Sequence, residues 1–286
     1  NTSKPTRTGN DNGTRENNEG EPEERFIDGH ILLVEDNPVN REVATSMLNA
    51  MQCRVDVVSN GADAVEIVRR EPFDLVLMDC EMPVMDGYAA TRAIREWESD
   101  VPDHERLPIV ALTAHVLPED RQRCMDAGMD DYLSKPFSMD DLRNLLSGWL
   151  PAGLHDGEPA CDSEATICSS TGSIRRDALD AIGALDPGHG NELADRVIEV
   201  YMESSAGLIE EISDALSRGD REKIRTSAHA LKSSSGNVGA DRLVEICREM
   251  EIAARDDELH DMPERLVAVQ NEYSQVLDAL QNWSRH

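Results

Sequence analysis

FDLVLMDCEMPVMDG, Phe73 to Gly87, is the stretch that decides the fold of this 286-residue chain. Leu75, Val76, Leu77 and Met78 form a short apolar run bounded by Pro72 before and by Pro83 and Gly87 after, as expected of a strand buried on both faces. Asp79 falls at the carboxyl end of that strand. In open parallel α/β sheets this is where ligands bind, because loops line a crevice there and helix amino termini point into it. A lone Asp would serve equally well as the cap of the next turn; the polar residues at other strand ends decide against that reading.

Outward from this strand, strand and helix patterns alternate five times between Ile27 and Leu150. The strands are expected at Ile31 to Val34, Arg54 to Val58, Asp74 to Met78, Pro108 to Leu112 and Asp131 to Leu133. Val39, Val43 and Met47 recur at helical spacing, as do Leu142, Leu145, Leu146 and Trp149, and Ser138 with Asp141 signals the cap of the last helix. Right-handed crossovers turn such a repeat into a doubly wound parallel five-stranded sheet with helices on both faces.

The polar residues gather where these strands end. Glu35 and Asp36 close the first, Asp79 the third and Thr113 the fourth, and Lys135 lies just past the fifth. Three carboxylates in one crevice raise one another's pKa unless a divalent cation neutralises them. An all-oxygen set of this kind suits Mg2+. Lys135 and Thr113 add an ammonium and a hydroxyl for the oxygens of a transferred phosphoryl group, so phosphorylation of Asp79 follows from the chemistry.

VEDNPVN (34–40), LVLMDCEMPVMDG (75–87), PIVALTA (108–114) and YLSKPF (132–137), in this order and spacing, resemble the receiver domain of two-component response regulators, a flavodoxin-like fold. The resemblance implies Asp79 as phosphoacceptor and Asp36 as direct magnesium ligand, with Glu35 acting through water and the Glu81 backbone carbonyl as a further ligand. It gives Thr113 and Lys135 the contacts just described, makes Tyr132 the aromatic switch, and implies a cis bond from Lys135 to Pro136. For Tyr132, ordinary half-buried packing is the competing reading.

Residues 1–26, polar and almost without apolar side chains, read as a disordered lead, and 151–173, with Pro, Gly, Ser, Thr and acids but no base, as a flexible linker. Its 23 residues would span roughly 25 Å as a coil, at about millimolar effective concentration of the two flanking units. The first residue is not Met, as expected of a piece cut from a longer chain.

Residues 174–286 read as an all-α helical bundle. Leu193, Val197, Val200, Leu208, Ile212 and Leu216 mark one long helix or a broken pair, and Leu266, Val269, Tyr273, Val276, Leu277 and Leu280 mark the last. Between them Ile224, Ala228, Leu231, Ser235 and Val238 form one core-facing stripe. His229 lies roughly 140° away from Ile224 and is expected to face solvent. Arg225, Lys232, Ser233 and Gly236 are its neighbours, two small residues clearing space and two bases suited to an anionic donor. AHALKSSSGNVGA (228–240) resembles the histidine-containing phosphotransfer (HPt) domain, with His229 as the implied phosphoacceptor and Ser233 in place of a Gly common in that family. Gly236 has two readings, a helical residue kept small for docking or a left-handed helix terminator near Gly239.

A formal charge of −29 argues against a nucleic-acid partner. Both units share it, with 11 bases against 24 acids in 27–150 and 13 against 23 in 174–286. Six Cys without a C-x-x-C pattern read as reduced thiols in the cytoplasm, and no run of about eighteen apolar residues offers a membrane span or direct membrane contact. Nothing resembles an ATP-binding kinase domain, and Gly188-His189-Gly190 is a lone turn. The expectation is a phosphorelay segment of a hybrid histidine kinase, with a kinase domain, in cis or in trans, and a downstream response regulator as partners. A docking module without transfer is the alternative. An Asp-nucleophile phosphatase would want an Asp where Glu81 stands.

Overall fold

The computed structural model describes residues 29–101, 105–114, 118–150, 173–185, 191–257 and 259–283; the expected lead, nearly all of the expected linker with Cys161 and Cys168, and the Gly188 to Gly190 turn lie outside them. Strands β1 (His30–Val34), β2 (Arg54–Val58), β3 (Leu75–Asp79), β4 (Ile109–Thr113) and β5 (Asp131–Ser134) pair in parallel in the order β2-β1-β3-β4-β5. Compared with the sequence reading, β3 and β4 begin and end one residue later, so Asp79 and Thr113 are the last ladder residues rather than the first loop residues.

Alternate residues of the central strands serve two apolar layers, as the period of a strand requires. Leu33, Leu77 and Leu112 face helices α1 (Pro38–Ala50) and α5 (Met139–Trp149), whereas Leu32, Val76 and Ala111 face α2 (Gly61–Val68), α3 (Gly87–Asp100) and α4 (Pro118–Ala127). Every residue of β3 and β4 is buried, which accounts for their unbroken apolar sequence. Ser138 and Asp141 form the reciprocal capping box that starts α5.

Past α6 (Arg176–Gly183), helices α7 (Glu192–Arg218), α8 (Arg221–Asn237), α9 (Asp241–Arg255) and α10 (Met262–Trp283) pack in a ring, α7 on α8, α8 on α9, α9 on α10 and α10 on α7. α7 is one continuous helix, ended by Gly219 at φ 69°. The expected stripe of α8 holds, with Ile224, Ala228, Leu231, Ser235 and Val238 all fully buried. The buried Ser235 hydroxyl meets its need for a partner at Tyr201 Oη, 3.0 Å away. Receiver-side α1 packs on α7 and α8, so the apolar layer beneath α1 and α5 continues into the bundle.

Candidate functional site

Strand register assembles the acidic pocket. Val34 pairs with Met78, which sets Glu35 beside Asp79; Asp79 pairs with Leu112, and Thr113 with Ser134, so Thr113 and Lys135 complete the same edge. The Lys135 amide donates to the Thr113 carbonyl at 2.7 Å, fixing the base of the lysine at the end of β4, and the Lys135–Pro136 bond is cis as the resemblance implied. Gly87 closes the pocket from below: a Cβ there would lie 2.1 Å from the Asp79 carbonyl, so no larger residue allows β3 and α3 to approach in this way.

Within the pocket the Lys135 ammonium lies 2.8 Å from Asp79 Oδ2 and 2.5 Å from Glu35 Oε2, all three groups buried. Oxygens of Glu35, Asp36 and Asp79 lie within 4.8 Å of one another. Burial first, and the Glu35 charge second, push the Asp79 carboxyl up to about 7, with Lys135 offsetting them only in part. Asp36 is raised for the same two reasons in the same order. Such a set is complete only with added positive charge, which is the chemistry of an oxygen-liganded divalent cation. Tyr132 is half-buried on the α4 side, its ring under the Arg121 guanidinium at 5.3 Å.

His229 departs from expectation. It is 8% exposed, not solvent-facing. The helical wheel places it correctly on the side of α8 away from the α7 stripe, but α9 and the receiver cover that side too. Glu251 of α9 accepts a 2.6 Å hydrogen bond from Nδ1, and the Glu81 carboxylate reaches across from the receiver to 3.6 Å. A carboxylate only accepts, so Nδ1 carries the proton and the lone pair is left on Nε2. Burial alone would lower the His229 pKa; the hydrogen bond to Glu251 and the charges of Glu81 and Glu251 outweigh it and hold the imidazole above its ordinary value.

The two bases also stand differently from the sequence reading, since neither waits for a ligand alone. Arg225 Nη1 donates to Glu81 at 2.7 Å and Nη2 to Glu222 at 2.9 Å, while Lys232 is buried against the other oxygen of Glu251. Gly236 is helical, buried, and faces Pro136 of the receiver; the left-handed position is Gly239, at φ 71°. Ser233 is half-buried at the same interface.

Two glutamates escape sequence reasoning. The resemblance assigns Glu81 through its carbonyl alone, yet its side chain joins the two domains. Glu251 interrupts the apolar stripe Leu243, Cys247, Met250, Ala254 of α9; an acid on a core-facing stripe is the available signal, because such a charge needs a buried partner.

The raised His229 pKa fixes a pH dependence. Protonated imidazole beside Glu251 and Glu81 stabilises the fold fully below about pH 6.5, and that contribution is lost as pH rises through the raised value. The nucleophilic neutral form appears over the same interval. Glu251→Gln keeps an acceptor but removes the charge, so phosphorylation of His229, the acceptor that the resemblance implies, is expected to start its rise at lower pH and to be about tenfold slower on the plateau. Rate profiles between pH 5.5 and 9 check this, with melts expected to fall because Lys232 and protonated His229 lose their partner charge; an unmoved profile refutes the role given to Glu251.

Residues 31–147 match the response regulator receiver domain model and 196–283 the Hpt domain model. The chain is 32% identical over 241 residues, 83% of its length, to the sensor histidine kinase GacS of Pseudomonas protegens, and 27% identical over 257 residues, 86% of its length, to the signal transduction histidine-protein kinase BarA of Shigella flexneri. It spans 26% and 27% of these relatives. A solved structure, the receiver domain of sensor histidine kinase PA1611 from Pseudomonas aeruginosa with a magnesium ion in its cleft, is 48% identical over 42% of this chain and 96% of its own, with a TM-score of 0.39. Strand-end acids and lysine, a bundle histidine and these two consecutive matches agree, and the chain therefore belongs to the two-component phosphorelay proteins, as a response-regulator receiver domain followed by an Hpt domain.

Proposed function

We propose that Asp79 takes a phosphoryl group from a kinase histidine, passes it to His229, and that His229 hands it to a separate response regulator. The observation that carries this reading is the apposition of the two acceptors' surroundings: Glu81, two residues from Asp79, bridges to Arg225 and His229 on α8.

In the first transfer an Asp79 oxygen attacks the phosphorus of a phosphohistidine, forming the acyl phosphate as the N–P bond breaks. In the second, the Nε2 lone pair of His229 attacks the same phosphorus, the P–O bond breaks, and the Asp79 carboxylate leaves paired with Lys135. Glu251 keeps the Nδ1 proton in place and stabilises the positive charge that develops on the ring. The donor set fits Mg2+: Asp36, Asp79 and the Glu81 carbonyl would hold it, Glu35 would act through water, and the ion would supply charge neutralisation at the phosphoryl oxygens. Thr113 and Lys135 orient those oxygens. The setting proposed is cytoplasmic, as part of a hybrid kinase; among the described residues no helix is long and apolar enough to cross a membrane.

The test is a time course with labelled acetyl phosphate and Mg2+ on the full chain. Base-labile label on Asp79 is expected first, followed by base-stable label on His229. Label that reaches His229 without passing through Asp79, or stays on Asp79 throughout, overturns the proposed sequence. A module that only docks would carry no label on His229.

A further inference from the structure

Across the receiver–bundle interface, one side chain makes more directed contacts than any phosphotransfer step requires. Asn40, on the first turns of α1, is buried although it is polar. Its Nδ2 donates to Glu35 Oε1 at 2.9 Å and to Ser233 Oγ at 2.8 Å, and its Oδ1 accepts from Asn237 Nδ2 at 2.7 Å. The Glu35 carboxylate can only accept, which fixes the amide's orientation and with it the donor and acceptor shown to α8. None of the three bonds goes to Asp79 or His229.

We infer that Asn40 is a specificity-determining residue that, through Ser233 and Asn237, makes this receiver the matched donor for His229. Of the other polar contacts of the interface, the Glu81–Arg225 pair is shared with Glu222 on the same helix, and those of Asn37 and Glu42 do not discriminate in this way. Asn37 donates to the Ala230 carbonyl at 2.9 Å, a group present whatever the side chain, and the Glu42–Arg196 pair is largely exposed at the rim, where ion pairs contribute little. Asn40 instead reads two side chains, Ser233 and Asn237. A receiver without an amide at this place would leave Ser233 Oγ and Asn237 Nδ2 without these partners in a half-buried interface, which weakens docking by up to about tenfold. Fixing Asn40 through Glu35 also ties the reading group to the wall of the acidic pocket, so that a receiver held by α8 presents its acceptor in one register.

This inference rests on the proposed transfer from Asp79 to His229. Its test is a pair of double-mutant cycles on the full chain, Asn40→Ala with Ser233→Ala and Asn40→Ala with Asn237→Ala, reading the rate at which Asp79 label moves to His229 after a pulse of acetyl phosphate. Asp79 labelling and thermal melts are measured on each variant. Each single substitution is expected to slow the transfer about tenfold. In the Asn40→Ala background, removing the Ser233 or Asn237 side chain as well should cost little more, so that the preference for the wild-type receiver over the Asn40→Ala receiver collapses towards unity. Losses that multiply independently, or Ser233→Ala and Asn237→Ala chains that transfer at the wild-type rate, overturn the assignment while leaving the phosphorelay intact. Label that never reaches His229 in the wild type brings down the transfer reading, and this one with it.

Discussion

Asp79→Asn is expected to abolish labelling by acetyl phosphate on both Asp79 and His229, and at the same time to raise the melting temperature in chelator. The first effect follows because Asp79, at the end of β3, lies against Lys135 and among the candidate cation ligands, whereas Glu35, which shares that setting, already accepts from Asn37 and Asn40. The second follows from the pKa. A buried acid raised to about 7 makes its full contribution to stability only below its unfolded value near 3.9, and loses it as pH rises towards 7. Above that the wild type carries an ionised Asp79 against Glu35, and the Asn variant does not. At pH 8 without divalent cation the difference is of order a few kcal/mol, each worth about 2–4 °C. It should shrink at pH 5.5, and magnesium should stabilise the wild type but not the variant. An Asp79→Asn chain that labels at the wild-type rate, or that melts lower in chelator at pH 8, would refute the assignment.

This pocket was largely legible in the sequence because it is built by strand ends. Short apolar runs locate the strands, the parallel repeat aligns their carboxyl ends, and the residues that follow, Glu35, Asp79, Thr113 and Lys135, converge without any long-range guess. The one-residue displacement of β3 and β4 leaves that convergence unchanged. His229 is a different problem. Helical periodicity gives angles about one axis, so it separates the Ile224 stripe from His229 but carries no information on what covers the second side. That depends on α9 and on α1 of the other domain, contacts between residues such as His229 and Glu251 or Asn40 and Ser233, 22 and 193 positions apart in sequence. The interface is hidden for the same reason. Asn37 caps α1, and nothing local reveals that its amide nitrogen also reaches Ala230.

Gly236 shows how an ambiguous residue is decided by its surroundings, and it carries the second large prediction. Two readings are open from sequence. With α8 continuing through Asn237 and the left-handed turn displaced to Gly239, Gly236 has helical backbone that any residue can adopt. A Cβ placed on it would lie 3.6 Å from Pro136 Cγ, which is ordinary van der Waals contact. Gly236→Ala should therefore dock as well as the wild type and gain up to about 0.5–1 kcal/mol from helix propensity. Gly236→Leu adds three further carbons in the direction of the proline ring. In the bundle alone they meet water, so the helix is not weakened; at the interface they must displace Pro136, and with it the chain that carries Lys135. Overpacking of this kind costs about 1–3 kcal/mol, so transfer from Asp79 to His229 should fall roughly 10- to 100-fold while Asp79 is still labelled by acetyl phosphate. Melting curves and transfer rates for both variants are measured on the same preparations. A Gly236→Leu chain that melts normally and transfers at the wild-type rate would show that the receiver does not approach His229 over this face, and a Gly236→Ala chain that melts lower would return Gly236 to the role of a backbone turn.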